Sequence, residues 1–246
     1  MSLRRRSLLG GLPGLLAACV PSEVPAPSPP GAAQAVLGGS PPAPPDPPRP
    51  PVPDRTPEPD YRSIYAAITT ERFSIPAVNL RRIDPRYLRR EVAYPRADEP
   101  GTIVVDTAAR YAYLVLQGGR AMRYGIAVGR DQAFNLTGDA FVERKAAWPN
   151  WRPTPEMVAR EPQRYGHLRH GMPGGGRNPL GARALYLYQD GYDTYYRLHG
   201  TVEPWTIGTM ASAGCIRLIN QDIVDLYQRV PIGTRVVILP TDASVA

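Results

Sequence analysis

Residues 102–128 read TIVVDTAARYAYLVLQGGRAMRYGIAV, and their pattern sets the fold class. Ile103-Val104-Val105 and Tyr111 to Leu116 are β-branched and aromatic runs, parted by the turn-like Asp106-Thr107-Ala108-Ala109-Arg110. Gly118-Gly119 then leads into a third run, Ala121 to Val128. Such runs bounded by turn residues predict three strands in a meander.

Working towards the carboxyl terminus, Ala184 to Tyr188 and Thr194 to Leu198 predict two further strands around the turn-like Gln189-Asp190-Gly191. The second runs straight into His199, so that histidine is expected at a strand end. After Cys215 the period changes. Asn220 can cap a helix in which Ile223, Val224, Tyr227 and Val230 share a face. Pro231 ends that helix, and Gly233 leads to a last strand, Val236 to Leu239. Cys215 is therefore expected on a loop between a strand and a helix.

Working towards the amino terminus, regular structure thins out. Residues 61–98 are mixed, with a short helix suggested around Ser63 to Ile68 and prolines at 76, 85 and 95, and read as an arm packing on the domain. From Pro21 to Asp60, sixteen of forty residues are proline and none is aromatic, so this stretch cannot build a core. It is expected to be a disordered, semi-extended tether of about 3 Å per residue where it adopts polyproline II. Before it, Arg4-Arg5-Arg6, a short apolar run and Ala17-Ala18 give the three regions of a signal peptide. Leu16-Ala17-Ala18-Cys19 resembles the lipobox of bacterial lipoproteins, in which the cysteine is acylated. The expected organisation is a signal peptide over 1–18, a linker over 19–60, the arm over 61–98 and one catalytic domain over 99–241.

Charge excludes little. Of the formal +7, three units belong to Arg4, Arg5 and Arg6, leaving +4 on a processed chain. That excess does not call for nucleic acid, and it suits an anionic polymer or simple solubility equally. The two cysteines are Cys19 and Cys215, and the first lies in the export segment, so Cys215 is left unpaired. An unpaired thiol in an exported chain asks for an explanation.

Leu198-His199-Gly200-Thr201 followed by Ser212-Ala213-Gly214-Cys215-Ile216-Arg217 is the informative stretch. A thiol becomes a good nucleophile through a base or a lowered pKa, and a histidine from a neighbouring strand end supplies either. Gly214 would let the backbone N–H groups of residues 214 and 215 face a developing oxyanion. Arg217 could hold a substrate carboxylate or brace the loop. Read alone, Cys215 could equally be a small buried hydrophobe, and His199 a satisfied structural histidine.

The stretch resembles the catalytic signature of the bacterial L,D-transpeptidases, matched here by His199, Gly200, Thr201, Ser212, Gly214, Cys215, Ile216, Arg217 and Asn220. Lys145 to Pro153 and Pro173 to Gly181 also look like that family's segments around the cleft. One departure is Ala213, where many members carry a histidine. The resemblance implies a mostly β, sandwich-type fold with one or two short helices. It also implies Cys215 as nucleophile, His199 as base and the Gly200 carbonyl as the group orienting the imidazole, with Gly214, Arg217 and Ser212 serving substrate and oxyanion. The implied reaction is acyl transfer from the third residue of a peptidoglycan tetrapeptide stem, through a thioester and with release of D-alanine, to an amine. It would involve stem peptides as partners, no cofactor or metal, and a monomer located in the periplasm with a lipid on Cys19. Two alternatives are a hydrolase of the same chemistry and a non-catalytic lipoprotein tethered to the wall. His167-Leu168-Arg169-His170 lacks the spacing and glutamate of a helical zinc pair. Gly174-Gly175-Gly176-Arg177 lacks the lysine of a phosphate loop. Trp148, Trp151 and Tyr165 read as core or as cleft wall.

Overall fold

A computed structural model describes residues 58–129, 136–212 and 214–245. The segment read as a signal peptide, Cys19, most of the proline-rich run and Ala213 lie outside the described residues. Helix α1 covers Tyr61–Ile64. Then come strands β1 Arg90–Ala93, β2 Ile103–Asp106, β3 Tyr111–Leu116, β4 Arg120–Ala127 and β5 Gly138–Ala147. Helices α2 Pro155–Arg160 and α3 Pro162–Tyr165 precede β6 Arg183–Gln189 and β7 Tyr192–His199. Strand β8 Ile216–Leu218, helix α4 Asn220–Arg229 and strand β9 Arg235–Ile238 complete the fold. Among the described residues no helix is long and apolar enough to cross a membrane.

The strands form one sheet in the order β1-β4-β3-β2-β9-β5-β6-β7-β8, and β4 also pairs with β8 through Ile126↔Leu218 and Ala127↔Arg217. The two walls of the expected sandwich are therefore one sheet bent round and closed, which removes most free strand edges. Strand β4 manages this by dividing its length: residues 120–123 pair with β1, and 126–127 with β8. The expectation of a mostly β fold with short helices holds. Among the described residues there are four short α-helical segments, of which α4 alone reaches ten residues.

The apolar runs that predicted the meander are buried on both faces. Ile103, Val105, Ala112, Leu114, Tyr124 and Ile126 point into the main core. Val104, Tyr113 and Val115 point the other way, against Tyr94, Leu239 and Val245. That double cover explains why residues 103–105 are continuously hydrophobic instead of alternating. Part of the cover comes from residues 61–98, which also supply β1 and a third cluster of Tyr65, Ile83, Tyr87 and Leu88 against Ala127, Ile207 and Ile219. Buried Tyr65 accepts the Arg89 N–H at 2.6 Å and donates to Asp222 on α4 at 3.2 Å.

Two local expectations change. Asn220 is the first residue of α4 rather than its cap, since Ile219 occupies that position and makes no side-chain bond to the helix. The helix face reaching the main core is Ile223, Leu226 and Val230 with Tyr227 packed at its edge, while Val224 packs with Trp148 in a separate cluster. Cys215 does not pass directly from loop to helix, because β8 intervenes. Three residues are too few for a period to show in sequence.

Candidate active site

Strands β7 and β8 run parallel, with Leu198 opposite Ile216 and His199 opposite Arg217. Leu198 and Ile216 both enter the main core. Alternation then turns Arg197, His199, Cys215 and Arg217 to the opposite face together. Cys215 immediately precedes β8, and His199 ends the strand paired with it. The thiol is half-buried and donates to the Tyr195 carbonyl at 3.7 Å.

His199 is 4 % exposed. Its Nδ1 lies 2.6 Å from the Gly200 carbonyl oxygen, which can only accept, so the ring proton belongs on Nδ1 and the lone pair on Nε2; the Leu180 carbonyl also approaches the ring. Burial pushes the imidazole down to about 4; the Gly200 carbonyl opposes that shift, and Arg217 and Arg197 add to it. Burial pushes the Cys215 thiol up, with Arg197 the strongest opposing charge. The resting pair is thus a neutral thiol and a neutral imidazole.

The turn that aims the imidazole is clamped from α4. Asn220 Oδ1 accepts the Ala182 N–H at 2.9 Å, and its Nδ2 donates to the Thr201 carbonyl at 2.9 Å. A Cβ on Gly200 would lie 2.1 Å from that Oδ1, so residue 200 has to be glycine for the clamp to close. The sequence marks Asn220 as a helix start, but its side chain binds the turn that follows His199 instead.

Ser212 organises the cysteine loop. Its Oγ donates to the Cys215 carbonyl at 2.5 Å and accepts the Gly214 N–H at 3.2 Å, while its own N–H bonds Val128 at 3.0 Å. This corrects the expectation that the Gly214 N–H faces the cleft, since Ser212 holds it. Gly214 has φ 145, a conformation that side chains rarely adopt, and a Cβ there would meet nothing within 4 Å. Backbone conformation, rather than crowding, demands the glycine. Arg217 pairs with Glu203 at 3.2 Å, which makes it a brace for the 201–206 segment.

The upstream segments serve structure more than cleft. Lys145 Nζ donates to the Tyr227 and Val230 carbonyls at 2.7 and 2.6 Å, closing the C-terminal end of α4. Trp148 is buried, with its ring edge-on to Phe73 and its Nε1 donating to Glu71, so it is a core residue. Trp151 packs against Tyr165. In the glycine-rich segment, buried Asn178 donates to the Pro149 and Pro173 carbonyls, tying 173–181 to 149. His167 and His170 are exposed, and His170 accepts from Arg169 at 3.0 Å. Arg197, Asp193 and Tyr195 were not singled out from sequence. Arg197 could have been, because it stands two residues before His199 on the same strand.

Residues 100–238 match the family described as the L,D-transpeptidase catalytic domain, YkuD. A relative named "Probable L,D-transpeptidase YbiS", from Escherichia coli strain K12, is 38% identical over 138 residues, covering 54% of this chain and 43% of its own. Another from the same strain, "Probable L,D-transpeptidase YcfS", is 35% identical over 155 residues, covering 62% and 48%. The matched region spans less than half the length of both relatives. A crystal structure from Brucella melitensis, described as a probable carnitine operon oxidoreductase, is 51% identical; it covers 65% of this chain and 99% of its own, with a TM-score of 0.45.

Proposed function

Because the chain belongs to the YkuD L,D-transpeptidase catalytic-domain family through residues 100–238, we propose that it transfers acyl groups between peptidoglycan stem peptides, with Cys215 as nucleophile. The observation that carries this reading is the His199 Nδ1 to Gly200 carbonyl bond, on the strand paired beside Cys215. It leaves Nε2 as the one ring nitrogen with a lone pair for a thiol proton.

In the proposed reaction, sulfur attacks the carbonyl carbon of the third stem residue as its proton passes to His199. The developing oxyanion takes the Cys215 N–H, since the Gly214 N–H is held by Ser212. His199 then protonates the nitrogen of the terminal D-alanine, the C–N bond breaks, and a thioester remains. An acceptor amine attacks the thioester carbon, giving its proton to His199, and the C–S bond breaks to return the thiol. The histidine shuttle contributes roughly 10²- to 10⁴-fold in rate. Its neutral resting state is what a base needs.

Purified chain incubated with tetrapeptide muropeptides tests the reading. Cross-linked dimers support it, tripeptides alone assign the hydrolase, and unchanged substrate overturns both. Asn220→Ala is expected to leave the Ala182 N–H and Thr201 carbonyl unpaired, lowering stability by about 2 kcal/mol. It is also expected to slow acylation roughly tenfold by loosening the Gly200 turn, read from denaturation midpoints and single-turnover rates. Wild-type acylation in a folded Asn220→Ala would remove the residue from the mechanism.

The same proposal includes export to the periplasm and a lipid on Cys19, supported by the segment preceding it. Cells fed labelled palmitate are expected to label the wild type and not Cys19→Ser. Absence of label on the wild type would leave a soluble periplasmic protein.

A further inference from the structure

Strand β7 does not pass the thiol evenly. Tyr186 and Tyr188 of β6 face Arg197 and Asp193 of β7, so two steps on one strand answer four on the other. The excess is taken up around Tyr195, whose φ of 61 lies in the left-handed region. That conformation is unfavourable for an aromatic residue and persists only where neighbours impose it. Here Asp193 Oδ1 accepts the Tyr195 N–H at 2.8 Å. Thr194 Oγ1 donates to the Leu187 carbonyl at 2.7 Å and accepts the Tyr196 N–H at 3.2 Å. Bulges of this kind re-aim groups beside a site. This one points the Tyr195 ring to solvent, 78% exposed, and its carbonyl at the Cys215 sulfur.

Asp193 also grips Arg197 in a fork, Nη1 to Oδ1 at 2.8 Å and Nη2 to Oδ2 at 2.9 Å, with the guanidinium 4.3 Å from the Tyr186 ring centre. A bidentate, stacked guanidinium is pre-organised in a way a lysine is not. Arg197 directly precedes Leu198 as Cys215 directly precedes Ile216, the first paired residues of the parallel strands.

We propose that the Asp193–Arg197 bulge is a cradle for the Cys215 sulfur, in which Arg197, fixed by Asp193, is a positioning residue that stabilises the thiolate. The inference rests on Cys215 being the nucleophile. When the proton leaves for His199 and the electron pair stays on sulfur, the Tyr195 carbonyl loses its donor. The Arg197 N–H and guanidinium then answer the new charge. Other ionisable groups around the thiol are Arg217, which acts in the same sense, and Asp193, which acts against it. Tyr196 also senses the Cys215 charge, and His199 is kept neutral by burial. Glu203 partly offsets Arg217, as Asp193 does Arg197.

The test is the pH profile of Cys215 alkylation by iodoacetamide, read on the full chain by peptide mass so that Cys19 is separated. In Arg197→Gln the midpoint is expected to move up, slowing alkylation at pH 7 roughly tenfold while the high-pH limit stays unchanged. Arg197→Lys, which keeps the charge and loses the fork, is expected to slow it about threefold. It also carries the test if the glutamine variant does not fold. A profile superimposable on wild type in the folded variants overturns the cradle while leaving the nucleophile in place. A wild type whose residue 215 resists both iodoacetamide and a carbapenem overturns the nucleophile reading itself.

Discussion

Cys215→Ala will abolish the covalent mass increase that a carbapenem produces on the wild-type chain, and with it all conversion of tetrapeptide muropeptides. The β-lactam carbonyl stands where the donor carbonyl would, so the two losses have one cause, the absence of an atom able to form the thioester. Alanine removes one sulfur from a half-buried loop position whose backbone is held by Ser212. The fold is therefore expected to survive, and the denaturation midpoint should stay close to wild type. Intact mass on both proteins after carbapenem treatment reads the result. An adduct persisting on Cys215→Ala, or none on the wild type, would remove the chemistry from this residue. A chain that only tethers the envelope to the wall would retain wall binding in the variant and show no turnover in either form.

His199→Gln is expected to lower kcat/KM by about 10²- to 10⁴-fold, the span of a lost general base. Glutamine keeps a hydrogen-bonding side chain near the Gly200 carbonyl but has no basic nitrogen. The pH behaviour makes the prediction sharper. With the imidazole pushed down to about 4 by burial, the acid limb of the wild-type profile should fall near pH 4 rather than near the ordinary histidine value. A profile with its acid limb near 6.5 would show that His199 is not the group titrating.

The same burial links activity to stability. A histidine whose folded pKa is depressed contributes stability that is complete above its unfolded pKa of 6.5 and is lost as pH falls through about 4. Asp222 works in the opposite direction. Burial raises its carboxyl to about 7, so its contribution is complete below the unfolded value of 3.8 and is lost as pH rises through about 7. Across the shared window the two slopes oppose one another, roughly 3 kcal/mol for His199 and roughly 4 kcal/mol for Asp222 at their limits. Removing His199 should expose the Asp222 slope, so that His199→Gln becomes less stable as pH rises from 4 to 7. Urea midpoints at a few pH values measure this. A glutamine variant losing stability as pH falls would contradict the assignment.

Much of the site was legible because its chemistry is concentrated in short segments. A histidine at the end of a predicted strand, and a cysteine flanked by glycine and arginine, can be recognised residue by residue. The meander at 103–127 was equally plain, since β-branched runs broken by turn residues carry their own period. What escaped were features defined between segments. Strand β8 is too short to show alternation. Strand β5, at 138–147, carries Glu143, Arg144 and Lys145 in its middle and reads as polar chain until its pairing with β6 and β9 is known. Asn220 carries a cap signal and uses its side chain elsewhere, because the loop at 181–182 and the turn at 200–201 offer it better partners than the helix does.

The sequence by itself determined that this chain is mostly β, that Cys215 and His199 are the residues to watch, and which family they resemble. Each of those conclusions depends on residue type and local spacing. Only the tertiary structure decided that the sheet closes through β4 and β8, that Ser212 holds the Gly214 N–H, and that a bulge carries the Tyr195 carbonyl to the sulfur. Those depend on register between strands distant in the chain, which is set by how the core packs, and no local pattern of residues encodes it.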